Sequence, residues 1–140
     1  MSDFSMFLAG ASENEVVEYV ASERFKDNEG NPYVWKLQAI SSEQDERLRK
    51  DCTKRVPVGR RGQYTQDVDT DKYIAKVCVA STVEPNLNSA EFQDAFGVHS
   101  GEELLRKLLK PGEYTDFKAK VMEVNGYDLS MDELVDEAKN

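Results

Sequence analysis

The residues that could carry chemistry in this chain are few and scattered. His99 is the sole histidine, and Cys52 and Cys78 are the only thiols. One imidazole and two separated cysteines fall short of the four-ligand set of an ordinary zinc site. Cys52 with His99 would make a nucleophile and its base, but nothing in their spacing joins them. Asp67, Asp69 and Asp71 alternate like the start of a calcium loop. The glycine and closing glutamate that such a loop needs do not follow, so helix capping is the better reading. Gly59 with Gly62, and Gly97 with Gly101, lack the lysine and Ser/Thr of a phosphate loop and the strand-to-helix placement of a dinucleotide site. Glu102-Glu103 is a carboxylate pair of the kind common on solvated helix faces. No catalytic residue, cofactor or metal ligand can be assigned, and the pattern points to a protein that works by binding.

The elements that would carry a binding surface are more legible. Asp69 can cap a helix whose apolar stripe is Ile74, Val77, Cys78 and Ser81, the spacing of one face at 3.6 residues per turn. Glu84-Pro85-Asn86 stops it. Asn88 fits the next N-cap, with Glu91 three residues on and Leu87 placed to staple onto Phe92. Gly97 ends that short helix. Ser100 and Glu103 form a capping box ahead of Leu104, Leu105, Leu108 and Leu109. Pro111-Gly112 interrupts, and Tyr114, Phe117, Val121 and Val124 make another stripe, closed by Asn125-Gly126. Ser130 with Glu133, and Leu129 with Leu134, predict a last helix.

The first half reads as a platform. Residues 15–25 predict a strand with Val17, Tyr19, Ala21 and Phe25 on one side. Turn formers from Asp27 to Pro32 follow, and Tyr33 to Ile40 predicts a second strand with Tyr33, Trp35, Leu37 and Ala39 on one face. A lone hairpin is marginal in water, so this one must pack on helices, gain a strand or pair with another subunit. Ser41 or Ser42 can cap a surface helix with Leu48 and Cys52 inward. Residues 56–68, with Gly59 and Gly62 and little apolar content, read as a long mobile loop. The whole predicts one α+β domain in 140 residues. It comprises a flexible arm over 1–14, a β-hairpin over 15–40, a surface helix over 41–55, the loop over 56–68 and a helical part over 69–140. In short, an amino-terminal β-hairpin precedes a bundle of five or six short helices.

Composition bounds the function further. A chain of this length buries about 68% of the surface its unfolded form exposes. The start lacks the basic residues and long apolar run of a secretory signal, and no stretch approaches the ~20 apolar residues of a membrane span. A cytoplasmic protein with reduced cysteines and no membrane partner is expected. The net charge is −9, yet residues 47–61 hold seven of the 18 basic residues against one acid, a local +6. That island could meet an anionic protein surface, or merely balance the chain's own carboxylates. The surrounding negative field opposes nucleic acid. Trp35, Phe92, Phe96, Tyr114 and Phe117 read as core. Phe4, Met6, Phe7 and Leu8 have no pattern to bury them and could dock on the chain's own body or on a partner. The candidate partner-binding residues are therefore Phe4, Phe7, Leu8, Arg55, Arg60 and Arg61, with a homo-oligomer left open.

Four stretches also carry a resemblance: RFKDNEGNPYVWKLQAIS at 24–41, RKDCTKRV at 49–56, KYIAKVCVASTVEPNLNSAEFQDAFGV at 72–98 and LLRKLLKPGEYTDFKAKVMEVNGYD at 104–128. In that order they resemble the XkdN-like tail assembly chaperones of tailed phages and defective prophages, over roughly residues 12–139. The resemblance implies a non-catalytic chaperone of the bacterial host cytoplasm, without cofactor. Its partner would be the tape measure protein, with tail tube subunits as a further candidate, before the tube polymerises. Two other readings stay open: a structural head–tail or tail component of the virion, and an acidic DNA-mimic inhibitor, which the basic island argues against.

Overall fold

A computed structural model describes residues 4–12, 15–59 and 61–127. Helix α1 covers Phe4–Ser12. Strands β1 (Val16–Tyr19) and β2 (Trp35–Gln38) follow, then α2 (Ser42–Asp51), β3 (Thr53–Pro57) and β4 (Tyr64–Val68). The second half runs α3 (Thr70–Ser81), β5 (Thr82–Glu84), α4 (Ala90–Ala95), α5 (Gly101–Leu108) and α6 (Pro111–Val124). The expected α+β class holds: an amino-terminal hairpin leads into short helices. The helix expected around Ser130 and Glu133 lies outside the described residues.

The helix starts follow their caps. The side chains of Ser41, Asp69 and Ser100 each accept the N–H three residues on, from Gln44, Lys72 and Glu103. Glu103 closes its box on the N–H of His99, one residue before the cap, at 3.0 Å. The cap of α4 is Ser89, not Asn88. The Ser89 hydroxyl accepts from Phe92, three residues on, while the Asn88 N–H donates to the Asn86 side chain at 3.1 Å in the turn before the helix. Pro111 opens α6 at its first position, where a missing N–H costs nothing, and Glu113 accepts the Lys110 N–H. Asn125 caps the other end of α6, and Gly126 (φ +91°) takes the left-handed turn beyond it.

The platform gains a third strand. β2 lies between β1 and β5, antiparallel to both, with Val16 opposite Gln38 and Tyr19 opposite Trp35. The alternation of β2 is as expected at its centre, where Trp35 and Leu37 are buried, but Tyr33 and Ala39 are exposed beyond the ladder. Residues 56–68, expected as a loop, carry the clearest departure. β3 and β4 pair over five positions from Thr53–Val68 to Pro57–Tyr64, so the segment is a β-hairpin with a turn, and the strand pairing starts before it. Alternation was invisible there because neither strand has a buried residue: eight of the ten are polar or exposed, and only Val56 and Val68 are half-buried apolar residues.

The core gathers Trp35 and Leu37 from β2, Tyr73, Val77 and Cys78 from α3, Leu104, Leu105 and Leu108 from α5, and Phe117 and Val121 from α6. Phe117 meets the indole of Trp35 edge-on at 5.2 Å. At Gly101 α5 packs close on α3: a Cβ there would lie 2.8 Å from a Val79 methyl and 3.2 Å from the Leu87 carbonyl.

Candidate interaction surface

Three surfaces could hold a partner. The first is α1. Residues 4–12 of the predicted arm form a helix, with Phe4, Phe7 and Leu8 at i, i+3 and i+4 on a short run free of charge. The helix does not cover that face with its own body. Phe4 is 63%, Met6 78%, Phe7 75% and Leu8 64% exposed. This is a contiguous apolar patch on an otherwise polar chain, the kind that marks an interaction site.

The second surface was not foreseen. A cleft of about 630 Å³ opens between the connection joining β1 to β2 and the segment from β5 into α4. Trp35 and Leu108 are its buried base, at 2% and 5% exposure. Phe25, Tyr33 and Val34 line one wall, and Pro85, Phe92 and Phe96 the other. Tyr33, Val34 and Phe96 are each about two-fifths exposed. Phe92, expected as core, does pack against it, and it meets Phe96 edge-on at 5.7 Å; Phe96, also expected as core, is instead exposed on that second wall. The Trp35 indole N–H is buried and has no acceptor among the described residues. The volume falls in the usual range for binding clefts. The available signal in the sequence was Phe96 directly before Gly97: an aromatic on the last turn of a six-residue helix has little room to be covered.

Arg24 props the cleft open from the side. Its guanidinium donates to the Leu108 carbonyl at 2.8 Å and to Glu113 Oε1 at 2.7 Å, and it lies 5.0 Å over the Phe25 ring. The cation thus caps the carboxyl end of α5 while its carboxylate partner sits in the first turn of α6, where helix dipoles favour each sign. The Arg24 bond, with the Lys110 N–H and the Ser22 hydroxyl, holds the Glu113 carboxyl down at about 2.

The third surface is the basic hairpin β3–β4. Arg55 projects from β3 with its guanidinium 4.5 Å over the Tyr64 ring of β4. Arg61 is exposed in the turn, and Arg60 lies outside the described residues. So Phe4, Phe7 and Leu8 share one helix face, Arg55 and Arg61 share one hairpin, and the two sets occupy separate elements. Elsewhere in the island, Arg49 lies over the Tyr73 ring and donates to its hydroxyl, which in turn donates to Asp45. That part of the charge is balanced internally.

Nothing in the geometry assembles a catalytic pair from the candidates. Cys52 and Cys78 are both buried and free, and burial pushes both thiols up, Cys78 to about 12, the reverse of what a nucleophile needs. His99 is exposed at the start of α5. Asp69 is engaged as a cap, as its spacing indicated. Among the described residues no group of three or more His, Cys, Asp or Glu side chains could hold a metal ion. No helix among them is long and apolar enough to cross a membrane.

Comparison with known proteins finds matches over nearly the whole chain. Residues 4–139 match the family model described as phage XkdN-like tail assembly chaperone protein. Two proteins of Bacillus subtilis are similar over 99% of this chain. The uncharacterized protein YqbN is 34% identical with 93% of its length covered, and the phage-like element PBSX protein XkdN is 31% identical with 94% covered. The crystal structure of YqbN superimposes with a TM-score of 0.77 at 28% identity, over 91% of this chain and 99% of that one.

Proposed function

This chain belongs to the phage XkdN-like tail assembly chaperone family, and from that premise we propose that it binds the tape measure protein before the tail tube polymerises around it. Tail tube subunits are a second client of the same kind. The chaperone acts by covering aggregation-prone surface on the client, without catalysis or cofactor, in the cytoplasm of the bacterial host, and assembly of the tube displaces it. The observation that carries this reading is the α1 face. Phe4, Phe7 and Leu8 stand at the spacing of helix-in-groove anchors and are left in solvent. Such a face binds by burying apolar surface on a partner that has its own to hide. The basic hairpin with Arg55 and Arg61 adds a charged contact suited to speeding association with an acidic client.

Co-expression tests this directly. The tape measure protein should be recovered in soluble form, bound to this chain, and should precipitate when expressed without it. The chaperone should be absent from purified tail particles by mass spectrometry. Unchanged client solubility with no complex, or stoichiometric retention in finished particles, would contradict the reading.

A further inference from the structure

We propose that, in the absence of client, α1 of one copy docks in the Trp35 cleft of a second copy, and reciprocally, so that the apolar helix is stored covered. A helix of nine residues is too short to persist in water by itself. Gly10 near its end weakens it further. Yet every described side chain from Phe4 to Gly10 is exposed on the isolated chain. Something must therefore cover the helix where it is populated, and the same chain carries a matching receptor. The cleft is apolar, it is open, and its walls offer Tyr33, Val34 and Phe96 to the three anchors. Neither the α1 face nor these wall residues carry charge, although Arg24, Lys26 and Asp27 also line the cleft.

Chain direction selects a neighbour over the chain's own cleft. α1 enters the sheet at Val16, opposite Gln38, whereas the cleft lies beyond the other end of that ladder, past Tyr19 and Trp35. Each copy's own helix therefore precedes the end of β1 that lies farther from its cleft. Area is also sufficient. Each phenylalanine of α1 can bury roughly 150–250 Å². With the facing walls counted and the contact made twice, the total is on the order of the 1,200–2,000 Å² of a specific interface. This goes beyond the chaperone reading and does not depend on the identity of the client. Its consequence is competition: client binding and self-association would use the same helix.

The test is the association state of the full chain alone, by sedimentation from about 1 to about 100 µM, the range in which a moderate dimer dissociates. Wild type should be a dimer at the upper end. Phe7→Asp on α1 and Phe96→Asp on the cleft wall should each weaken self-association by at least about tenfold, as loss of an interface anchor does. Both sites are exposed, so circular dichroism should show both variants folded. Mixed together, the two variants should associate more strongly than either does alone, because one intact helix still meets one intact cleft. A Phe7→Cys/Phe96→Cys double variant should cross-link between chains, and the buried Cys52 and Cys78 should not compete. A wild-type monomer throughout, a dimer indifferent to both variants, or cross-linking within one chain would each overturn the proposal.

Discussion

Asn125 joins three elements through one side chain. Its Oδ1 accepts the Ile40 N–H at the end of the β-platform at 2.9 Å. Its Nδ2 donates to the fully buried Ser81 hydroxyl at 3.0 Å and to the Val121 carbonyl at 2.9 Å. Asn125→Ala should cost about 2–3 kcal/mol, because it removes a partner from a buried hydroxyl and from the Ile40 N–H just beyond β2. Urea denaturation should show this as a lower midpoint at unchanged slope, and a midpoint equal to wild type would exclude the clasp. The Asn-Gly pair announced its role as a helix terminus in the sequence. The reach to Ser81 and Ile40 was not readable, because it depends on residues more than forty positions away. Glu113 makes a pH prediction. Its folded value of about 2 lies below the ordinary 4.5, so the Arg24 contact stabilises fully above about 4.5 and is lost as pH falls through 2. Glu113→Gln should therefore be less stable than wild type at neutral pH. The difference should shrink below pH 4.5 and close near pH 2. A difference constant across that range would mean that packing, not the ion pair, is at work.

At the scale of elements, local signals succeeded where a helix start and an apolar stripe coincide. α3, α5 and α6 were legible because caps such as Asp69 and Ser100 precede residues that the core then buries. Strands fared less well. β5 was missed because Thr82–Glu84 is three residues long and its pairing to β2 is non-local. β3 and β4 were missed because a two-stranded ribbon with no fully buried residue leaves little alternation to read. Gly101 shows the same limit in a helix. Propensity favours alanine over glycine by about 1 kcal/mol inside a helix, yet a methyl group here would press on Val79 and on the Leu87 backbone. Overpacking of this kind costs about 1–3 kcal/mol. Gly101→Ala should therefore lower the thermal midpoint despite the better helix former. A rise would mean that α5 can shift away from α3 without penalty.

For the whole molecule, the functional reading depends on what the fold leaves uncovered. The core uses Trp35, Phe117 and the leucines of α5, whereas α1 and the wall of the Trp35 cleft remain apolar and open. Half of this surface was legible. Phe4, Phe7 and Leu8 stood out because no stripe could bury them, while the cleft needed tertiary structure to bring Tyr33 and Val34 opposite Phe96. The central claim is that the α1 face is what holds the client, and one measurement addresses it most directly. The full chain and its Phe4→Asp/Phe7→Asp variant are each co-expressed with the tape measure protein, and the soluble complex is quantified by affinity capture. Wild type should capture the client, and the variant should lose at least about tenfold of that capture, as removal of central apolar anchors does, while keeping the circular dichroism spectrum of a folded protein. A folded variant that captures as much client as wild type would contradict the account.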